Sequence, residues 1–341
     1  MIAILSSDCS LSHKANVVRL IEAEGCRVVV SESEGETRMG VIGSGSEQLA
    51  LRLSSAAGVR EVRTDTAPYP MVSREAHPDP TQIKIRDVVV GGHDIVVIGG
   101  PCAVESQGQI LAAARAVRSA GGSMLRGGAF KPRTSPYSFQ GLQGKGLELL
   151  AEARAETGLP VVTEIVAPED VELVAEHADV LQVGARNMQN YRLLEAVGKI
   201  TKPVLLKRGM SATVDEWLHA AEYIMSNGNP RVMLCERGIR TFGNHTRNTL
   251  DVGAVAVLKA RTHLPVIVDP SHAAGLREFV PQLAMAGIAA GADGIIVEVH
   301  PEPDKAVSDG RQSLTPEGFD DMMTRLRPLA SALGRGFARV D

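Results

Sequence analysis

The chain has 341 residues, 44% of them hydrophobic and 22% charged, with a formal net charge of −4. This composition predicts a water-soluble globular protein with one large domain and a smaller one. The negative balance and an aromatic content of only 3% exclude the basic field and the stacking surfaces of a nucleic-acid binder, so any anion site has to be built locally. No apolar run approaches the ~20 residues of a membrane span. The apolar run at residues 1–5 meets Asp8 too soon for a signal peptide. Cys9, Cys26, Cys102 and Cys235 form no CxxC pair, which fits a reducing compartment, and the cytoplasm is the expected location.

Residues 1–66 read as a separate unit. Apolar patterning predicts a strand at 1–5, a helix at 11–25, strands at 27–31 and 37–43, a helix at 47–57 and a strand at 59–64. The order βαββαβ predicts a small ferredoxin-like domain. It carries no cluster of catalytic residue types, so a stabilising or oligomerising module and a regulatory ligand-binding module both stay open. Residues 67–82, rich in proline and polar side chains, read as a linker.

The rest of the chain, 83–341, opens with a strand at 83–90 that ends in Gly91-Gly92. Eight strand-like runs follow, at 95–100, 123–128, 160–165, 180–185, 203–209, 231–237, 265–270 and 294–300. Most are near-continuous in Val, Ile and Leu, as strands buried on both faces are. Helical patterns lie at 109–120, 146–157, 168–176, 190–197, 213–226, 251–262 and 276–290, with a closing helix at 314–333. Eight such alternations predict a (β/α)8 TIM barrel. A doubly wound open sheet is the alternative, but no Gly-x-Gly-x-x-Gly turn follows the first strand.

In such a barrel the C-terminal strand ends build the active site, and chemistry-bearing residues stand at all eight. The densest stretch follows the second strand: Arg126, Gly127-Gly128, Lys131, Arg133, Thr134 and Ser135. Its glycines admit close backbone approach, and Pro132 and Pro136 stiffen it. Arg126, Lys131, Arg133, Arg186, Lys207 and Arg237 together would hold two phosphates, or a phosphate and a carboxylate. Any one of them could instead form a structural ion pair with Glu164 or Glu236. Cys102, His272, Glu298 and Asp309 are metal-ligand types on strands 1, 7 and 8, which adjoin once the barrel closes. Their mixed S, N and O donors suit a divalent Mn, Fe, Co or Zn ion. Taken singly, Cys102 would read as a small buried residue and His272 as a core histidine. Glu105, Glu236, Asp269 and His300 are supporting polar groups, and Cys235 reads as packing.

Read together, the strand-end motifs carry a resemblance. Gly100-Pro101-Cys102-Ala103-Val104-Glu105-Ser106, Lys131-Pro132-Arg133-Thr134-Ser135, Gly184-Ala185-Arg186-Asn187, Leu206-Lys207-Arg208-Gly209, Cys235-Glu236-Arg237-Gly238, Asp269-Pro270-Ser271-His272 and Val297-Glu298-Val299-His300 resemble the 3-deoxy-D-arabino-heptulosonate 7-phosphate (DAHP) synthases. Residues 1–66 are similar to the ferredoxin-like extension of the type I beta members. The sister 3-deoxy-D-manno-octulosonate 8-phosphate synthases share the barrel and the first-strand motif, but the Lys131–Ser135 stretch points to the heptulosonate enzymes. A non-catalytic phosphate-ligand sensor is a third reading.

The resemblance implies a metal-dependent condensation of phosphoenolpyruvate with erythrose 4-phosphate, opening the shikimate pathway to the aromatic amino acids. It implies that Arg126, Lys131, Arg186, Lys207 and Arg237 bind phosphoenolpyruvate. Arg133, Thr134, Ser135 and Asp269 would bind erythrose 4-phosphate. Cys102, His272, Glu298 and Asp309 would hold the divalent metal, and Lys131, His272 and Cys102 would be catalytic. It further implies an aromatic amino acid effector at the N-terminal domain and a homotetramer.

Overall fold

The computed structural model describes residues 1–33, 35–132, 135 and 137–340. The chain divides into two compact units, Met1–Pro80 with Ala260–His263, and Thr81–Lys259 with Leu264–Asp341.

The small unit contains β1 (Ile2–Leu5), α1 (Leu11–Glu22), β2 (Arg27–Ser33), β3 (Glu36–Ile42), α2 (Glu47–Ser54) and β4 (Val59–Arg63). Its antiparallel sheet has the order β2–β3–β1–β4, the βαββαβ ferredoxin-like topology expected from the pattern. Strand periodicity explains why all of β1 is buried. Ala3 and Leu5 join Val17, Ile21, Leu49 and Leu53 in one core, while Ile2 and Ile4 pack with Ala76 in another. Ser10 and Ser46 start the two helices by accepting backbone N–H bonds from His13 and Leu49. In the segment read as a linker, Tyr69, Val72 and Ala76 are buried.

The large unit begins with a hairpin of β5 (Ile83–Ile85) and β6 (Val88–Val90), where the sequence reading had a single strand. The two strands turn at Arg86, a non-glycine residue at φ 52°, so no glycine marks the turn. Arg86 reaches Asp179 at 2.7 Å, just ahead of a barrel strand, which places the hairpin at the N-terminal end of the barrel.

Eight parallel strands close the barrel: β7 (Val96–Gly100), β8 (Met124–Arg126), β9 (Val161–Ile165), β10 (Val180–Val183), β11 (Val204–Lys207), β12 (Val232–Glu236), β13 (Val266–Val268) and β14 (Gly294–Glu298). The pairing of β14 with β7 runs from Gly294↔Val96 to Glu298↔Gly100 and completes the circle. Every strand residue except Glu164 is buried, as expected with side chains filling the interior and helices packing outside. Those helices are α3 (Gln107–Ser119), α4 (Gly144–Thr157), α5 (Val171–His177), α6 (Tyr191–Gly198), α7 (Val214–Ser226), α8 (Val252–Arg261), α9 (Pro270–Ala274), α10 (Val280–Ala289) and α11 (Pro316–Ala332). The helix expected at 276–290 is shorter, because a 3₁₀ turn, Arg277–Phe279, precedes α10; before it, Gly275 ends α9 in the left-handed region at φ 70°.

Candidate active site

The site lies at the C-terminal ends of the barrel strands, and backbone geometry brings its parts close. Gly100 has φ 142°, and a Cβ there would stand 2.1 Å from the Arg126 carbonyl oxygen, so a glycine is needed for β7 to pass β8 closely. Cys102 follows immediately. Its carbonyl accepts from the Gly128 N–H at 3.1 Å, which ties the loop carrying Lys131 to the end of β7. A Cβ on Gly128 would lie 2.6 Å from that same carbonyl oxygen.

One group of side chains matches a metal centre. Donor atoms of Cys102, Glu298 and Asp309 lie within 4.8 Å of one another. Cys102 Sγ is 3.2 Å from Asp309 Oδ2 and 3.1 Å from Ser308 Oγ. Beside this group, His272 Nε2 is 3.4 Å from Glu298 Oε1. His272 sits on α9 rather than on a loop. Asp269 caps that short helix, accepting from the His272 backbone N–H at 2.9 Å through Oδ1 and from Nδ1 at 2.7 Å through Oδ2. That second bond places the proton on Nδ1 and leaves Nε2 as a lone-pair donor facing Glu298. Burial lowers His272, against the pull of Asp269. A thiol, an imidazole and two carboxylates so placed fit a borderline divalent cation.

Burial pushes the Cys102 thiol up to about 12; Glu298 and Asp309 add to the effect, and Lys131 and Arg126 oppose it. Lys131 Nζ is 3.1 Å from Cys102 Sγ and 3.0 Å from its carbonyl oxygen. Burial alone would lower Lys131, but Cys102 and Glu164 outweigh it and hold the ammonium raised. Without metal, the pair at neutral pH is therefore a charged lysine beside a neutral thiol.

The second group is cationic. A cavity of about 340 Å³ is lined by Arg126, Lys131, Arg186, Lys207, Arg237 and Arg247, with Ser135, His272 and Asp309 also on its wall. Three of the cations are paired. Arg126 donates to Glu298 Oε1 at 3.1 Å, Lys207 donates to the fully buried Asp269, and Arg247 donates to Asp309 Oδ1 at 3.2 Å. Glu236 pairs not with Arg237 but with Arg208, at 2.9 Å, and Arg208 also holds Asp251. Among the described residues, Arg126 Nε and Arg237 Nη1 are buried without a hydrogen-bond partner. Burial lowers Arg237, with Asp269 pulling the other way and Arg247 adding to the decrease, yet a guanidinium keeps its proton at any working pH. Buried donors without partners are costly, and the side chains that carry them line the cavity.

Glu164 is also on the wall, with Gln182 Nε2 at 3.4 Å from its Oε2. Asp269, by contrast, is wholly buried beneath Lys207 and His272. Arg133 and Thr134 lie outside the described residues. Glu105 accepts from the Val307 N–H at 3.0 Å, and His300 Nε2 stands 3.4 Å from its other oxygen without hydrogen-bond alignment. Cys235 is fully buried, and burial raises its thiol, so it is packing. Arg247, Ser308 and Gln312 were not singled out in the sequence. The only signal for Arg247 was a cation in the long loop after β12.

A family profile described as the DAHP synthetase I family matches residues 72–332. A phospho-2-dehydro-3-deoxyheptonate aldolase of Thermotoga maritima is 48% identical over 334 residues, covering 98% of this chain and 99% of the relative. A 2-dehydro-3-deoxyphosphooctonate aldolase of Syntrophotalea carbinolica is 35% identical over 255 residues, 69% of this chain and 91% of its own. Among solved structures, the DAHP synthase of Thermotoga maritima superimposes with a TM-score of 0.79 at 47% identity, over 98% of both chains.

Proposed function

The chain belongs to the DAHP synthetase I family, and we propose that its barrel condenses phosphoenolpyruvate with erythrose 4-phosphate and water, giving 3-deoxy-D-arabino-heptulosonate 7-phosphate and phosphate. The observation that carries the reading is the pairing of a Cys102–Glu298–Asp309 cluster with a cavity lined by Arg126, Lys131, Arg186, Lys207 and Arg237.

In the reaction, C3 of the enol phosphate bonds to the aldehyde carbon, water adds to C2, and phosphate leaves from C2. An enol phosphate is a weak carbon nucleophile, so fixing both substrates in attack geometry supplies much of the catalysis. Arg126 and Lys131 take the carboxylate of phosphoenolpyruvate. Arg186 and Arg237 take its phosphate, with Lys207 between. Arg133, Thr134 and Ser135 hold the phosphate of erythrose 4-phosphate. Asp269 serves this site from beneath, by orienting His272 and neutralising Lys207. Cys102, His272, Glu298 and Asp309 would hold a divalent ion, which would supply Lewis-acid polarisation of the aldehyde carbonyl. Lys131, charged at neutral pH and beside that centre, gives its proton to the new hydroxyl oxygen. The reading also includes feedback by an aromatic amino acid at residues 1–66, a homotetramer and a cytoplasmic location.

Phosphate release from purified protein, with phosphoenolpyruvate and either erythrose 4-phosphate or arabinose 5-phosphate, tests the reading. Turnover with erythrose 4-phosphate that is lost with chelator and restored by Mn²⁺ is the expected result. Turnover only with arabinose 5-phosphate would transfer the chain to the octulosonate activity, and no turnover by metal-loaded protein would leave a phosphate-ligand sensor. Inhibition by tyrosine, phenylalanine or tryptophan and the mass in sedimentation test the regulatory and oligomeric parts.

A further inference from the structure

Two residues that the reaction does not use connect the two carboxylates of the metal cluster. Gln312, 2% exposed, donates from Nε2 to Glu298 Oε2 at 2.9 Å. Its Oε1 accepts from Arg247 Nη1 at 3.0 Å, and that same Nη1 donates to Asp309 Oδ1 at 3.2 Å. Each carboxylate thus has one oxygen engaged from outside. The other oxygens face the cluster: Glu298 Oε1 lies 3.4 Å from His272 Nε2 and also accepts from Arg126 Nη1 at 3.1 Å, and Asp309 Oδ2 lies 3.2 Å from Cys102 Sγ. An amide suits the link, because its nitrogen can donate to a carboxylate while its oxygen accepts from a guanidinium.

Asp309 needs such support. Its backbone is in the left-handed region at φ 53°, which a non-glycine residue holds only when its surroundings fix it. Arg247 also occupies a boundary. It and Asp309 line both the cationic cavity and a second cavity of about 530 Å³, which Asn244, His245 and Arg311 share on the far side. The Arg247 side chain is 41% exposed, so the outer half of the link can swing away without unpacking the barrel.

We infer that Arg247 and Gln312 are positioning residues of the metal centre: an amide–guanidinium clasp that presents the inner oxygens of Glu298 and Asp309 and sets the rate at which the ion exchanges. The inference rests on the reading of the cluster as a divalent-metal site.

The test uses the full chain loaded with Co²⁺. Its thiolate-to-cobalt absorption reports Cys102 ligation, and loss of that band after excess EDTA reports release. Arg247→Ala and Gln312→Leu should weaken Co²⁺ affinity about 10–100-fold and speed release by about tenfold or more, with Arg247→Lys intermediate. The KM for phosphoenolpyruvate at saturating metal should stay within about twofold of wild type. Release at the wild-type rate from both variants would overturn the clasp, as would a raised KM with unchanged release, which would make Arg247 a substrate contact. Should Gln312→Leu fail to fold, Arg247→Ala alone decides. A wild-type protein with no cobalt band, or a band that survives Cys102→Ser, would overturn the metal reading itself and the clasp with it.

Discussion

Replacing Asp269 with asparagine keeps the shape of the side chain but removes the charge under both Lys207 and His272. In the native protein Oδ2 accepts from Lys207 Nζ and from His272 Nδ1, and the carboxylate is held well below its ordinary range, burial being outweighed by His272 and Lys207. An amide can satisfy the backbone N–H of His272 through its oxygen. Its NH₂ then faces two other donors. Lys207, 3% exposed, becomes a buried cation without its carboxylate, a change that costs about 3–5 kcal/mol when one partner of a buried pair is removed. In a chain of 341 residues that is a fall in melting temperature of roughly 4–7 °C. His272 also loses the acceptor that fixes its tautomer, so metal affinity should drop about 10–100-fold. Calorimetry of the metal-free protein and a Co²⁺ titration read the two effects separately. Phosphoenolpyruvate should raise the melting temperature of Asp269→Asn more than that of the wild type, because a ligand phosphate would pair with the freed Lys207. An unchanged melting temperature together with unchanged metal affinity would refute the assignment of Asp269 as the shared support of these two residues.

Three other perturbations follow from the same geometry. Gly100→Ala would set a Cβ 2.1 Å from the Arg126 carbonyl at φ 142°, and denaturant unfolding should show a loss of about 3 kcal/mol or more. With the Cys102 thiol pushed up to about 12, metal binding must displace its proton, so apparent affinity between pH 6 and 8 should rise roughly tenfold per pH unit; a pH-independent titration would contradict this. Burial, with His77 and Arg74 adding and the Met71 carbonyl opposing, takes His263 down to about 4. The folded state keeps it neutral while the unfolded chain protonates below about 6.5, so its stability contribution is complete above that pH and is lost as pH falls towards 4. The loss amounts to about 3 kcal/mol, and His263→Gln should flatten that part of the stability–pH curve.

Much of this protein was legible in one dimension because the relevant signals are periodic or local. Runs such as 96–100 and 294–297 are apolar throughout, since barrel strands are buried on both faces, and their number and spacing dictate the closed topology. Residues at strand ends inherit their positions from that topology, so Cys102, Glu298, Arg126 and Lys207 could be placed at one mouth before any side chain was located. Local turns were harder. Arg86 turns a hairpin without a glycine, and the 3₁₀ turn Arg277–Phe279 shortens a helix whose apolar spacing begins at residue 276.

What only the tertiary structure decided is which groups meet which. Glu236 neutralises Arg208 and, among the described residues, leaves Arg237 Nη1 without a hydrogen-bond partner, a choice that depends on ångström-scale distances between neighbouring strands. Asp269 supports His272 and Lys207 from beneath the cavity wall. Arg247 and Gln312 reach the metal cluster from a loop and a 3₁₀ turn separated by 65 positions. Hydrogen bonds between such distant segments leave no period in the sequence, because they are set by where the closed barrel carries each loop.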